Sequence, residues 1–169
     1  MRDTPAKFLS HTISIYVANK PGVLVRVAQV FSRRGFNIDS LVVSPGQAGN
    51  FSRMTVTAQG DPDELMQIIS QLQKLIDVQK ATEHSHQVTI EKELAMIKVA
   101  VKEGSRSEVL QLVDHFKAAT VDFCEGSLII QITGSTEKLD AFIALLKNYR
   151  IIEIVRTGKV LMARGEEVT

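Results

Sequence analysis

The chain has 169 residues, 44% of them apolar, with 20 basic and 19 acidic side chains and a net charge of +1. That length suits one ordinary domain or two small ones, and the apolar fraction predicts a folded core. The balanced charge, the absence of Trp and an aromatic content of 5% argue against nucleic-acid recognition by phosphate contacts or base stacking.

In chain order, residues 10–18 (SHTISIYVA) alternate, with Ile13, Ile15 and Val17 on one face, which is strand periodicity. Pro21-Gly22 interrupts the strand. A helix follows in which Leu24, Val27, Ala28 and Phe31 recur at i, i+3, i+4 and i+7, and Gly35 ends it as a left-handed cap. FNIDSLVVS reads as a second strand, SPGQAGN as a turn, and FSRMTVTAQG as a third strand. A helix over DPDELMQIISQLQKL follows, with Asp61 as N-cap, Pro62 at its first position and Glu64 completing a capping box. IDVQKATEH closes a βαββαβ unit.

The pattern then repeats. ELAMIKVAVK is a strand, and Ser105 with Glu108 predicts a second capping box ahead of a helix striped by Val109, Leu112, Val113 and Phe116. TVDFCE and SLIIQITG form a hairpin at Gly126, Ser135 opens another helix, and RIIEIVRTG closes the unit. Both third strands end in Gly before an oxygen side chain, Gly60-Asp61 and Gly134-Ser135. The loop around Pro45–Asn50 is special to the first copy. The expectation is an α+β chain of two ferredoxin-like βαββαβ domains, 1–84 and 85–169, with the polar segment 83–93 as linker. Units of roughly 75–80 residues are small for isolated cores. Strands that are apolar on more than one side predict pairing between units or between chains.

One cysteine, Cys124, allows no disulfide within the chain, which suits a reducing compartment. The first residues, MRDTPAKFLSHT, lack the apolar stretch of a signal peptide, and no apolar run is long enough to span a bilayer. A cytoplasmic protein that binds neither membrane nor nucleic acid is the expectation. His84 and His86 share one strand face but have no third metal ligand, so two exposed linker histidines are expected. Asp114 and His115 diverge on their helix. Cys124 reads as a small buried hydrophobe and Met54, Met66 and Met96 as core or interface filler. No catalytic residue and no metal site emerges.

The Asn19–Gly22 loop remains. A helix start offers free N–H groups and partial positive charge to a carboxylate, and Gly22 permits close approach. Asn19 and Asn37 each donate and accept, which suits a zwitterion, while Val23, Leu24 and Ile38 suit an apolar side chain. An ordinary strand–helix turn explains the same residues. An Asp at position 22 is expected to fold unless Gly22 has φ > 0.

NKPGVLVRVAQVFSRRGFNIDSLVV, from Asn19 to Val43, resembles the N-terminal ACT domain of acetolactate synthase (acetohydroxyacid synthase) small regulatory subunits. FSRMTVTAQGD and QLQKLIDVQK continue the resemblance. EKELAMIKV, GSTEKLDAFIALLK and IIEIVRTG resemble that family's C-terminal, ACT-like domain, so nearly the whole chain is covered. The resemblance implies a subunit without catalysis or cofactor of its own. Its partner is a large catalytic subunit that holds thiamine diphosphate, a divalent metal (Mg) and FAD. The subunit raises that partner's activity and confers feedback inhibition by valine. It further implies a homodimer of ACT domains with the effector between them. Asn19, Gly22, Val23 and Leu24 of one chain would then meet Asn37 and Ile38 of the other. The alternatives are a free-standing amino-acid sensor acting on another enzyme or on transcription, and a ferredoxin-like RNA or metal module.

Overall fold

The computed structural model describes residues 9–47, 49–84, 89–102 and 104–169. Contacts divide the chain into two units, one ending at Ile90 but including Lys159–Thr169, the other Glu91–Gly158. The last segment therefore groups with the first unit, where a boundary at 84/85 assigns it to the second.

The first unit runs β1 (Leu9–Ala18), α1 (Val23–Arg33), β2 (Ile38–Pro45), β3 (Phe51–Gly60), α2 (Pro62–Leu72), β4 (Val78–Glu83), in an antiparallel sheet of order β2-β3-β1-β4. Alternation puts Ile13, Ile15, Val17, Met54, Val56 and Ala58 on one face, where they meet Val27 and Phe31 of α1 and Leu65, Ile68 and Leu72 of α2. Asp61 Oδ1 accepts from the N–H groups of Asp63 and Glu64 at 2.8 and 3.4 Å. Glu64 makes no return bond among the described residues, so Asp61 caps α2 alone. At the end of α1, Gly35 takes φ +71°. Gly35 N donates to Ser32 O and Phe36 N to Phe31 O, both at 3.1 Å, a Schellman motif. It turns the Phe36 ring inward onto Gly60.

The second unit runs β5 (Thr89–Ala100), α3 (Arg106–His115), β6 (Ala119–Phe123), β7 (Ser127–Gly134), α4 (Thr136–Leu146), β8 (Arg150–Arg156), with path order β6-β7-β5-β8. Much of the expected linker is already strand, since β5 starts at Thr89. The core repeats the first: Ala95, Ile97, Val99, Leu128, Ile130 and Ile132 pack on Val109, Val113, Leu139, Phe142 and Leu146. A buried carboxylate anchors one end. Glu93 accepts from Thr136 Oγ1 and, at 2.6 Å, from Arg156 Nη2, whose Nη1 donates to Asp140 at 2.6 Å. Burial alone would lower the Arg156 guanidinium, but its bonds to Glu93 and Asp140 outweigh this and hold it above its ordinary range.

Several expectations fail for local reasons. Ser105 makes no capping bond to α3. Its hydroxyl donates to Lys102 O and accepts from Lys102 N, the turn geometry with which capping competes. Cys124 is exposed just past edge strand β6. Its thiol lies 3.4 Å from Asp122 Oδ2, and that hydrogen bond, then the carboxylate charge, push its pKa up. His84 is buried, with Nε2 2.7 Å from Ser14 Oγ, while His86 lies outside the described residues. Met54 is core, but Met66 and Met96 are exposed. A ninth strand, β9 (Val160–Ala163), went unforeseen.

The sheet faces away from the helices also differ from expectation. In the first unit that face is polar: Thr12, Ser14 and Tyr16 of β1 lie beside Arg53, Thr55 and Thr57 of β3. In the second it is partly apolar, with Met96, Ile129 and Val155 around a 3.8 Å Lys98–Glu153 pair.

The Gly-oxygen repeat has two different causes. A methyl group at Gly60 would lie 2.1 Å from Phe36 Cε1, inside the core, whereas one at Gly134 would meet Cδ of the unbranched Lys138 side chain at 2.5 Å. Gly60→Ala is therefore expected to destabilise the protein by about 1–3 kcal/mol, as overpacking does. Gly134→Ala should cost about 0.5 kcal/mol or less. Urea melts of the two variants check this.

Candidate functional site

The loop from Asn19 to Gly22 is braced from two sides. Ala18 N donates to Asp77 O at 2.8 Å and Asn19 N to Asn50 O at 2.9 Å. The Asn19 side-chain amide donates to Gly49 O at 3.0 Å, which leaves its carbonyl oxygen as an acceptor. Gly22 is the N-cap of α1 with φ +81° and ψ −9°, and no side chain caps this helix. The N–H groups of Gly22, Leu24 and Val25 have no backbone acceptor among the described residues. They are the orphan donors of a helix start. The guanidinium of Arg26, unmarked in the sequence reading, lies over the loop. Its Nη1 is 3.4 Å from where a Gly22 methyl would stand, and its Nη2 donates to Asp77 at 2.5 Å. Only the register of a turn fifty residues away brings Asp77 there.

The six candidate residues fall into two groups. Asn19, Gly22, Val23 and Leu24 sit at the start of α1. Val23 is 2% exposed and belongs to the core, whereas Leu24 is 42% exposed and free to meet a ligand. Asn37 and Ile38 follow its far end. Asn37 is exposed and donates to Asp39 Oδ1 at 3.3 Å. Ile38 is half-buried, and both line a shallow groove of about 440 Å³ beside Ser32 and Gly35. The rest of α1, residues 25–33, separates the groups, about 14 Å at 1.5 Å per residue. A free amino acid cannot bridge them within one chain. The second unit has no counterpart, since its turn carries Ser105 and no Asn-x-Pro-Gly.

Among the described residues, no three His, Cys, Asp or Glu side chains cluster as a metal site. No helix there is long and apolar enough to cross a membrane.

Two βαββαβ units in tandem, the first with an uncapped, glycine-started helix flanked by asparagine turns, define a tandem ACT-domain protein. Residues 13–80 match the AHAS small subunit-like ACT domain, and residues 92–165 match the family described as the small subunit of acetolactate synthase. A probable acetolactate synthase small subunit of Archaeoglobus fulgidus is 45% identical over 159 residues, 94% of this chain and 99% of that protein. The acetolactate synthase small subunit of Mycobacterium bovis is 44% identical over 156 residues, 92% of this chain and 93% of its own. The crystal structure of the acetolactate synthase small subunit from Thermotoga maritima superposes with a TM-score of 0.84 at 39% identity, covering 94% of this chain and 99% of that one. The chain belongs to the family of acetolactate synthase small subunits.

The positive φ at Gly22 meets the condition under which a side chain there is strained. Gly22→Asp and Gly22→Asn should each lower stability by about 1–2 kcal/mol, the cost of a left-handed residue. Matched denaturant melts should show a loss in both, smaller for Gly22→Asp, whose carboxylate stands at the positive end of α1 beside Arg26.

Proposed function

We propose that the chain is the non-catalytic regulatory subunit of a cytoplasmic acetolactate synthase. In this reading it binds the large catalytic subunit, which carries thiamine diphosphate, Mg²⁺ and FAD, raises its activity, and makes it sensitive to valine. The chain dimerises through its first unit. Asn19, Gly22, Val23 and Leu24 of one protomer close on Asn37 and Ile38 of its partner. The carboxylate meets the free N–H groups of the helix start, the ammonium the Asn19 carbonyl oxygen, and the side chain the apolar residues. The observation that carries this reading is the separation of the two asparagine turns by the full length of α1, in a chain of this family. Two half-sites that cannot meet in one chain can meet between two, across the edge strand β2.

Complementation tests the arrangement. Asn19→Ala and Asn37→Ala should each abolish valine inhibition of enzyme reconstituted with the catalytic subunit while leaving activation intact. Mixed dimers of the two variants rebuild one of their two sites and make up half of a freely exchanging equimolar mixture, so that mixture should regain valine binding at about a quarter of the wild-type stoichiometry, read by calorimetry. No recovery on mixing would refute the shared site. Wild-type chain that neither activates the catalytic subunit nor binds valine would refute the function itself.

Charge is the second test. An Asp at position 22 adds a negative charge beside the ligand carboxylate, and like charges about 4 Å apart repel by roughly 1–4 kcal/mol between water and a protein surface. Gly22→Asp should weaken valine inhibition at least tenfold more than Gly22→Asn, as measured by valine titration of the reconstituted enzyme.

A further inference from the structure

A pocket in the first unit lies away from α1, on the face of the sheet that the helices leave open. It encloses about 580 Å³, within the range of small-molecule sites. Its floor is a row across all four strands. The register pairs Ser44 with Arg53, Arg53 with Tyr16, and Tyr16 with Lys80. Its wall is the Pro45-Gly46-Gln47 turn, the loop that distinguishes the first copy from the second. That turn is folded onto Tyr16 closely enough that a methyl at Gly46 would lie 3.6 Å from the ring and 3.2 Å from Phe51 O. Tyr16 is in turn stacked on Phe51, with centroids 5.1 Å apart.

The internal repeat supplies a control. The equivalent row of the second unit reads Asp122, Ile129, Lys98, Glu153, in the same register, and there Lys98 is paired with Glu153. In the first unit the row carries two cations and no acid. Among the described residues neither Arg53 nor Lys80 forms an ion pair with an Asp or Glu. Arg53 Nη2 donates to a carboxylate oxygen of Thr169, the last residue of the sequence, at 3.1 Å, and Lys80 Nζ to the Val168 carbonyl oxygen at 3.3 Å. These oxygens mark where acceptors sit in the pocket. Two strand spacings put the roots of the two cations roughly 10 Å apart, which suits an acceptor with two ends better than a single small anion.

We propose that this pocket binds an extended dianion, a diphosphate or a dicarboxylate, with Arg53 and Lys80 holding its two anionic ends and Tyr16 between them. Ligand oxygens replace the Val168 carbonyl oxygen and the Thr169 carboxylate oxygen and form charge-assisted bonds to both cations. The site is separate from the valine clamp and does not depend on it.

Titration calorimetry of the full chain without valine, with pyrophosphate and succinate as probes and acetate as control, tests the assignment. At least one dianion should bind saturably at one per chain, and acetate should give no saturable heat over the same range. Pyrophosphate alone identifies phosphoryl groups; both probes together identify separated charge. Arg53→Gln and Lys80→Gln should each weaken binding tenfold or more, and Arg53→Lys should retain most of it. Lys80→Gln, at an exposed position, keeps the test decisive should Arg53→Gln lower the melting temperature. Absence of saturable binding by either dianion, acetate binding as tightly, or an unchanged Kd in Lys80→Gln overturns the proposal.

Discussion

Two helices can cover only one face of a four-stranded sheet, and most of this molecule follows from how each unit treats the other face. On the covered side both units solve the same problem with the same means: β-branched and aliphatic residues at period two beneath helical stripes. On the open side they diverge. The first unit fills that face with hydroxyl-bearing residues, and Thr12, Ser14, Thr55 and Thr57 are buried there. Buried hydroxyls are costly unless bonded. The pairs Ser14–His84 at 2.7 Å and Ser40–Thr57 at 2.5 Å show how the cost is offset. The second unit keeps Met96, Ile129 and Val155 on the corresponding face and pairs its charges internally.

Helix α1 ties the core to the candidate site. Left-handed glycines frame it, Gly22 at φ +81° and Gly35 at φ +71°, and the two asparagine turns lie just outside them. Between the glycines, Val23, Val27 and Phe31 lock the helix to the sheet. The positions of Asn19 and Asn37 are thus set by packing in the core rather than by loop preference. The Schellman turn at Gly35 also delivers Phe36 to Gly60, so the end of α1, the start of β2 and the end of β3 are fixed together.

What was legible in the sequence was whatever depends on residues near one another in the chain. The alternation of β1, the stripes of α1 and α2, the Asp61 cap and the left-handed Gly35 all rest on spacings of a few residues, and the structure has each of them. The repeat made the second unit legible from the first. What was not legible depends on partners distant in the chain. His84 reads as an exposed linker residue until β1 brings Ser14 beside it. Gly60 looks like punctuation before a cap, and its steric necessity appears only when Phe36 folds over it. Arg26 looks like a solvated helix residue until the α2–β4 turn supplies Asp77. Ser105 had two local bonds open to it, and the choice between cap and turn depends on the backbone of the preceding loop, which no spacing encodes. Lys117 is another such case: it holds φ 52° at the end of α3 where Gly35 sits in the first copy, so glycine is a sufficient but not a necessary mark of that cap.

The proposed clamp has a thermodynamic consequence that a site within one chain would lack. A ligand held between half-sites of two protomers binds the associated state and not the separated one, so it stabilises association by an amount that grows with its concentration. Above the dissociation constant, each tenfold rise in effector adds about 1.4 kcal/mol per site, about 2.8 kcal/mol for the two sites of a dimer, to the pairing of the first units. Coupling is reciprocal, so any contact that favours the same pairing, including one made by a catalytic subunit, raises effector affinity by the same factor. Under the proposed clamp, this linkage is the means by which a small molecule at one end of α1 would be felt beyond the site. It requires only that α1 be stiff, long enough to keep its two ends apart, and anchored in the core, as Val23, Val27 and Phe31 anchor it.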